Sequence, residues 1–167
     1  MATPTTTIGA IQTGMVTVIE ALDPSLQPES RFEASLGDKE FRGWAAENSD
    51  GCFRRFDARD VTTDRGPLSS DGVIEHVRGQ IEVVVAYPKH PALYGDGGLR
   101  AADTLIDSDM HQIDDAIGLH GGANWISGQC ATLLTDGGAV IDRGDDESEV
   151  MFLSLTYLTH FYRAVTS

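Results

Sequence analysis

The residues best equipped for chemistry lie between Asp103 and Asp115. Asp103, Asp107, His111 and Asp115 recur every four positions. A helix would set them nearly in line, and carboxylates with an imidazole can bind a divalent metal. The solvated side of an amphipathic helix produces the same pattern. Metal sites usually draw ligands from several elements and carry a second shell, which favours the solvated side here. His76 and His160 fall on the polar sides of two long alternating stretches, where they could face each other as an acid/base pair or a pH sensor. No serine, cysteine or carboxylate can be tied to them by spacing, so surface or interface histidines are the simpler expectation.

Three further features carry less. Gly95-Asp96-Gly97-Gly98 precedes a helix, as phosphate-cradling loops do. It lacks a Gly-Lys-Ser/Thr ending, however, and Asp96 would repel phosphate, so a flexible connector is expected. Arg143-Gly144-Asp145 is the tripeptide that integrins read, but three-residue matches occur often by chance. Cys52 and Cys130 form no disulfide framework and read as reduced, partly buried thiols. Phe41, Trp44 and Trp125 read as packing residues rather than a ligand cage.

The organising stretch is Val73 to Tyr87. Val77, Ile81, Val83, Val85 and Tyr87 alternate with His76, Arg78, Gln80 and Glu82, the two-residue period of a strand with one buried face. Val150 to about Tyr162 matches it, with Met151, Leu153, Leu155, Tyr157 and Phe161 on one side and Ser154, Thr156 and His160 on the other. The two are expected to pair, with helices on their shared apolar side. One helix is predicted over about 8–23 from Ile8, Ile11, Met15, Val18, Ile19 and Leu22. A second begins at Leu99, with its stripe running through Ala102, Leu105, Ile106, Met110, Ile113 and Ile117. In that second helix Asp109 and Asp114 are expected to face water, and Gly118 with Gly121-Gly122 to end it.

The remaining segments are less regular. Pro24 to Pro28 reads as a linker. Phe32 and Leu36 belong to a short strand or a loop, and Asp38 is a candidate cap for a short helix through Asn48. Cys52, Phe56 and Ala58 share one face of a strand, and Thr62 to Gly72 reads as a loop or extended hairpin tip. Trp125 to Leu134 is a further candidate strand, followed by an acidic, glycine-rich hairpin over Asp136 to Glu149.

The 167 residues are read as a single domain, 1–167, of the α+β class. The expected fold is an antiparallel or mixed sheet of about four main strands, packed against an N-terminal and a central helix, with long loops or hairpins. No apolar run approaches the ~18–20 residues of a membrane helix. The segment Met1 to Thr7 has no Lys or Arg, which predicts no secretory leader. The net charge of −14, from 26 acidic against 12 basic residues, disfavours a grip on nucleic acid. Such a charge suits solubility, or a lining past which nucleic acid slides without sticking.

The order of helix, strand, exposed loop, long strand ending in Ala86-Tyr87-Pro88, helix, strand, acidic hairpin and closing strand ending in Leu158-Thr159-His160-Phe161-Tyr162-Arg163 has a counterpart among phage proteins. Together with the segment Asp109-Met110-His111-Gln112-Ile113, it resembles the tail terminator and tail-to-head joining proteins of long-tailed bacteriophages. The resemblance spans about Ile8 to Arg163 and is one of pattern, size and charge. It implies a structural virion protein, assembled in the host cytoplasm, that forms a hexameric ring. The ring would cap the tail tube protein, stop its elongation and join it to the connector or neck of the head, with DNA passing through the lumen unbound.

The resemblance brings no catalytic residue, cofactor or metal, and no enzyme activity is expected. The long charged and glycine-rich loops Thr62 to Gly72 and Asp136 to Glu149 are suited to reach neighbours. Arg65, Leu68, Val140, Ile141 and Arg143 are therefore the candidate interface residues. Alternatives are another neck or tail-tube subunit, or a small acidic metal-binding enzyme using the Asp/His line.

Overall fold

The fold is that of a computed structural model, which describes residues 7–22, 32–34, 54–68, 74–89, 98–120, 131–145, 147 and 150–164. The elements run α1 (Ile8–Glu20), β1 (Phe32–Ala34), β2 (Arg54–Leu68), β3 (Ile74–Pro88), α2 (Gly98–His120), β4 (Ala131–Asp142) and β5 (Val150–Ala164). The strands form one sheet in the order β1-β2-β3-β5-β4. β1 lies parallel to β2 and every other pairing is antiparallel, so the fold is α+β.

The alternation in β3 and β5 places them side by side at the centre of the sheet. All 15 residues of β3 pair with β5, from Ile74 opposite Ala164 to Pro88 opposite Val150. Val77 faces Phe161, Ile81 faces Tyr157, Val83 faces Leu155, Val85 faces Leu153 and Tyr87 faces Met151, all of them buried. Each such aliphatic withdrawn from water is worth about 1.5–3 kcal/mol, so this double row anchors the core.

Two helices cover that row. Thr7 caps α1, its hydroxyl oxygen accepting from the Ala10 amide at 3.1 Å, and Ile11, Met15 and Ile19 turn inward. The Gln12 side-chain amide donates to the Ala58 carbonyl at 3.2 Å, tying the helix to β2. The helix sits close because β3 carries Gly79, where a Cβ would fall 2.9 Å from Ile8 Cδ1 and 3.0 Å from Thr159 Cγ2. From α2, Ala102, Leu105, Ile106, Ile113 and Ile117 join the same core.

Several expectations are corrected. α1 ends at Glu20 rather than near 23, and α2 runs through Gly118 to His120. Of the two readings of Thr62 to Gly72, loop or extended hairpin tip, the second fits the described part: Thr62 to Leu68 continues β2 as an arm paired with β3, with irregular register between Asp60 and Thr62 and between Arg65 and Leu68. Thr62, Thr63, Asp64 and Arg65 are exposed. A strand wetted on both sides has no apolar alternation to read. The fourth strand is Ala131–Asp142 rather than 125–134, and it takes in the first half of the expected acidic hairpin. Its register shifts between Thr135 and Ala139, across Asp136-Gly137-Gly138. The expected helix over 38–48, the linker 24–28, the connector 95–97, the aromatic residues at 41, 44 and 125, and both cysteines lie outside the described residues.

Replacing Ile81, fully buried on the helix-covered face of β3, with alanine is expected to lower the unfolding free energy by about 2–5 kcal/mol. Val140→Ala, at a side chain 65% exposed, is expected to change it by no more than about 0.5 kcal/mol. Urea denaturation of the two variants checks the assigned faces.

Candidate functional site

Three groupings of polar side chains stand out, one inside the core and two outside it. The inner one is Arg54, Asp109 and Tyr87. Arg54 opens β2 on the same face as Phe56 and Ala58, and both Arg54 and Asp109 are fully buried. The Arg54 Nε meets Asp109 Oδ2, the Tyr87 hydroxyl donates to the same oxygen at 3.0 Å, and the guanidinium lies 5.6 Å from the centre of the Phe32 ring. The helical period assigns Asp109 to water, and the structure reverses that. Asp109 stands among inward residues because its charge has a cation 55 positions upstream to meet, a relation that no local pattern encodes.

Burial pushes the Asp109 carboxyl up to about 6, against the opposing pull of the Arg54 charge and the Tyr87 hydrogen bond. Its other oxygen, Oδ1, has no hydrogen-bond partner among the described residues. A second tie between helix and sheet joins the Tyr157 hydroxyl to Asp114 Oδ1 at 2.5 Å. Burial and the neighbouring carboxylate both push the Tyr157 phenol upward, so it stays a donor. These contacts tie α2 to the sheet.

The second grouping lies on the opposite face of the sheet. Arg78 faces His160 across the β3–β5 ladder, and His76 faces Tyr162. The His76 ring stacks on Tyr162 with centroids 4.9 Å apart and lies 5.5 Å from His160. The two histidines are thus diagonal neighbours on the polar sides that their alternation predicts. Burial lowers the His76 pKa, with the charge of Arg78 and the nearby His160 acting in the same direction. Arg78 is exposed and has no ion-pair partner among the described residues, and Tyr162 is 50% exposed.

The third grouping is the β4–β5 hairpin tip. Arg143 reaches back to Asp103 on α2, with Nη2 to Oδ1 at 2.5 Å, and Gly144 adopts φ 60, where a side chain would be strained. The Gly144 amide donates to Asp142 Oδ1 at 2.8 Å and Lys89 Nζ to the Asp145 carbonyl at 2.7 Å, so the tripeptide forms an ordered turn.

The candidate interface residues are scattered. Arg65 grips the buried Glu75 with Nε to Oε1 at 2.7 Å and Nη2 to Oε2 at 3.3 Å, bracing the β2–β3 arm. Leu68 ends β2, and its side chain lies outside the described residues. Val140 projects from the outer sheet face beside Ser154, whereas Ile141 turns inward against the core. Asp103, Asp107, His111 and Asp115 are exposed along α2, and His111 Nε2 lies 3.6 Å from Asp107 Oδ1. Among the described residues no group of three or more His, Cys, Asp or Glu is placed to hold a metal, and no helix is long and apolar enough to cross a membrane.

Removing one member of the buried pair by Arg54→Met is expected to lower stability at pH 7 by about 3–5 kcal/mol, and adding Asp109→Leu to recover most of that loss. The folded-state value of Asp109, about 6, lies above the ordinary 3.8. The folded protein therefore holds this proton more tightly than the unfolded chain. That contribution is complete below about pH 4 and is lost as pH rises through 6. Relative to the double variant, the wild type should lose about 3 kcal/mol between pH 4 and pH 7, read from urea titrations at each pH.

No protein-family model matches the chain and no curated protein matches it.

Proposed function

We propose that this chain is a virion structural protein of the tail terminator type: a subunit of a hexameric ring that caps the tail tube, ends its elongation and offers a surface to the neck of the head. The observation that carries the reading is the two-sided character of the sheet among the described residues. Both helices lie on the same face, where the core is sealed. On the opposite face Arg78, Tyr162 and Val140 are exposed and His76 is half-buried, while Val84 and Ala86 are buried. The β2 arm and the β4–β5 tip carry polar, exposed side chains, and the tip is tied to α2 through Arg143 and Asp103. The 15 residues of β2 span about 50 Å, against about 35 Å for the 23 residues of α2 and about 20 Å for the 13 of α1.

A subunit with a sealed core and exposed polar groups on both the helix side and part of the sheet side has the means to meet copies of itself at two different surfaces, and such heterologous contacts give a ring where the rotation closes. The net charge of −14 fits a particle through which duplex DNA passes without adhering. The described edge strands also bear on the tube-subunit alternative. Among the described residues no strand pairs with the outer edge of β4, and an open edge is a template for further strand pairing and hence for indefinite growth. The two readings separate by closure.

Light scattering coupled to gel filtration tests this. A terminator gives one discrete oligomer whose molar mass holds steady over about a tenfold range of concentration. A mass that climbs with concentration supports the tube subunit instead, and a monomer at every concentration contradicts both.

A further inference from the structure

The outward faces of the two layers carry complementary chemistry. On the sheet side, Arg78, His160, His76 and Tyr162 form a two-by-two block, Arg78 opposite His160 and His76 opposite Tyr162. Residues two apart on a strand are about 7 Å apart and paired residues about 5 Å, so the block is compact. It offers an exposed guanidinium without an ion-pair partner among the described residues, two imidazoles and a half-exposed phenol. Asp64 stands opposite Arg78 across the β2–β3 ladder with no ion pair formed between them among the described residues, and within a chain of net charge −14 the block offers groups able to receive a further carboxylate.

On the helix side, Asp107 and Asp115 are exposed on the face of α2 turned away from the sheet, with His111 between them. They stand eight residues apart, about 12 Å along the axis. Asp103, in line with them, is already engaged by Arg143, and Asp114 by Tyr157. Asp115 has no ion-pair partner among the described residues.

We propose that the Arg78/His160/His76/Tyr162 block of one copy receives the Asp107–Asp115 stripe of α2 from the next, as the contact that joins subunits. The occupant is a second copy of this chain because every copy displays both halves of the match. The core lies between them, so no copy can satisfy the contact within itself. Two different surfaces meeting in this way give a head-to-tail arrangement, which propagates until rotation closes it. The contact rests on the ring reading given above and names the surfaces that form it. Charges at such a rim act mainly on encounter and specificity and weaken with salt, so the association is expected to loosen as ionic strength rises.

A charge-swap experiment by sedimentation velocity on the full chain tests this, using wild type, Arg78→Glu, the pair Asp107→Lys/Asp115→Lys, and an equimolar mixture of the two variants. The substituted positions are exposed, so the fold should be kept, and circular dichroism checks that. Each variant alone is expected to associate at least about tenfold more weakly than wild type. The mixture is expected to regain the wild-type oligomer, because each variant then finds a complementary partner in the other. An oligomeric wild type that neither variant weakens, or a mixture that stays dissociated, overturns the contact while leaving a ring built through other surfaces. A wild type that never associates overturns the contact and the ring together. An open polymer that shows the swap behaviour keeps the contact and ends the terminator reading.

Discussion

The structure depends on the register between β3 and β5. Because side chains alternate along a strand, a slip of one residue would turn Ile81, Val83 and Val85 outward and bring Gln80, Glu82 and Arg78 against the helices. The apolar double row leaves one workable alignment, and the helices follow from it. Gly79 gives α1 its seat, Gln12 ties it to β2, and Ile106 and Ile113 set α2 against the same face. The buried Arg54–Asp109 contact adds a constraint that apolar packing alone would not supply, since two charges withdrawn from water must meet in one geometry. With Tyr87 donating from β3 and Tyr157 holding Asp114 from β5, α2 is fixed in rotation and along its axis.

How much of this could be read from the chain depended on how local the signal was. The alternation of Val77 to Tyr87 and of Met151 to Phe161 is strong because one face of each strand is dry, and it predicted both strands and their pairing. The stripe from Ala102 to Ile117 predicted α2 for the same reason. His76 and His160, read as surface or interface histidines that could meet, lie diagonal to each other on the wet side because of the pairing of their strands. Where the environment is uniform, the pattern vanishes. Thr62 to Arg65 form strand but are wet throughout, so they read as loop or hairpin tip, and the glycines at 137 and 138 hid the continuation of β4 through an irregular register.

Long-range polar contacts were the least legible. Asp109 and Arg54 look like surface residues until the fold brings them together, and Arg143 and Asp103 look independent until the hairpin tip crosses to α2. The proposed interface residues illustrate the same limit. Arg65 and Arg143 stand in polar segments suited to an interface, and both hold carboxylates of their own chain. Val140, in a segment of the same kind, projects from the sheet, and the neighbouring Ile141 turns into the core. The block around Arg78 emerges only from cross-strand register, which places four residues from two distant segments in one square.

Acids on the helical layer and a guanidinium–imidazole block on the sheet are the surfaces on which the proposed ring rests. The account is tested most directly by negative-stain images of the purified full chain near pH 7. It predicts closed rings of uniform diameter with a central hole wide enough for duplex DNA. Fields of single subunits, or filaments of variable length, would contradict it.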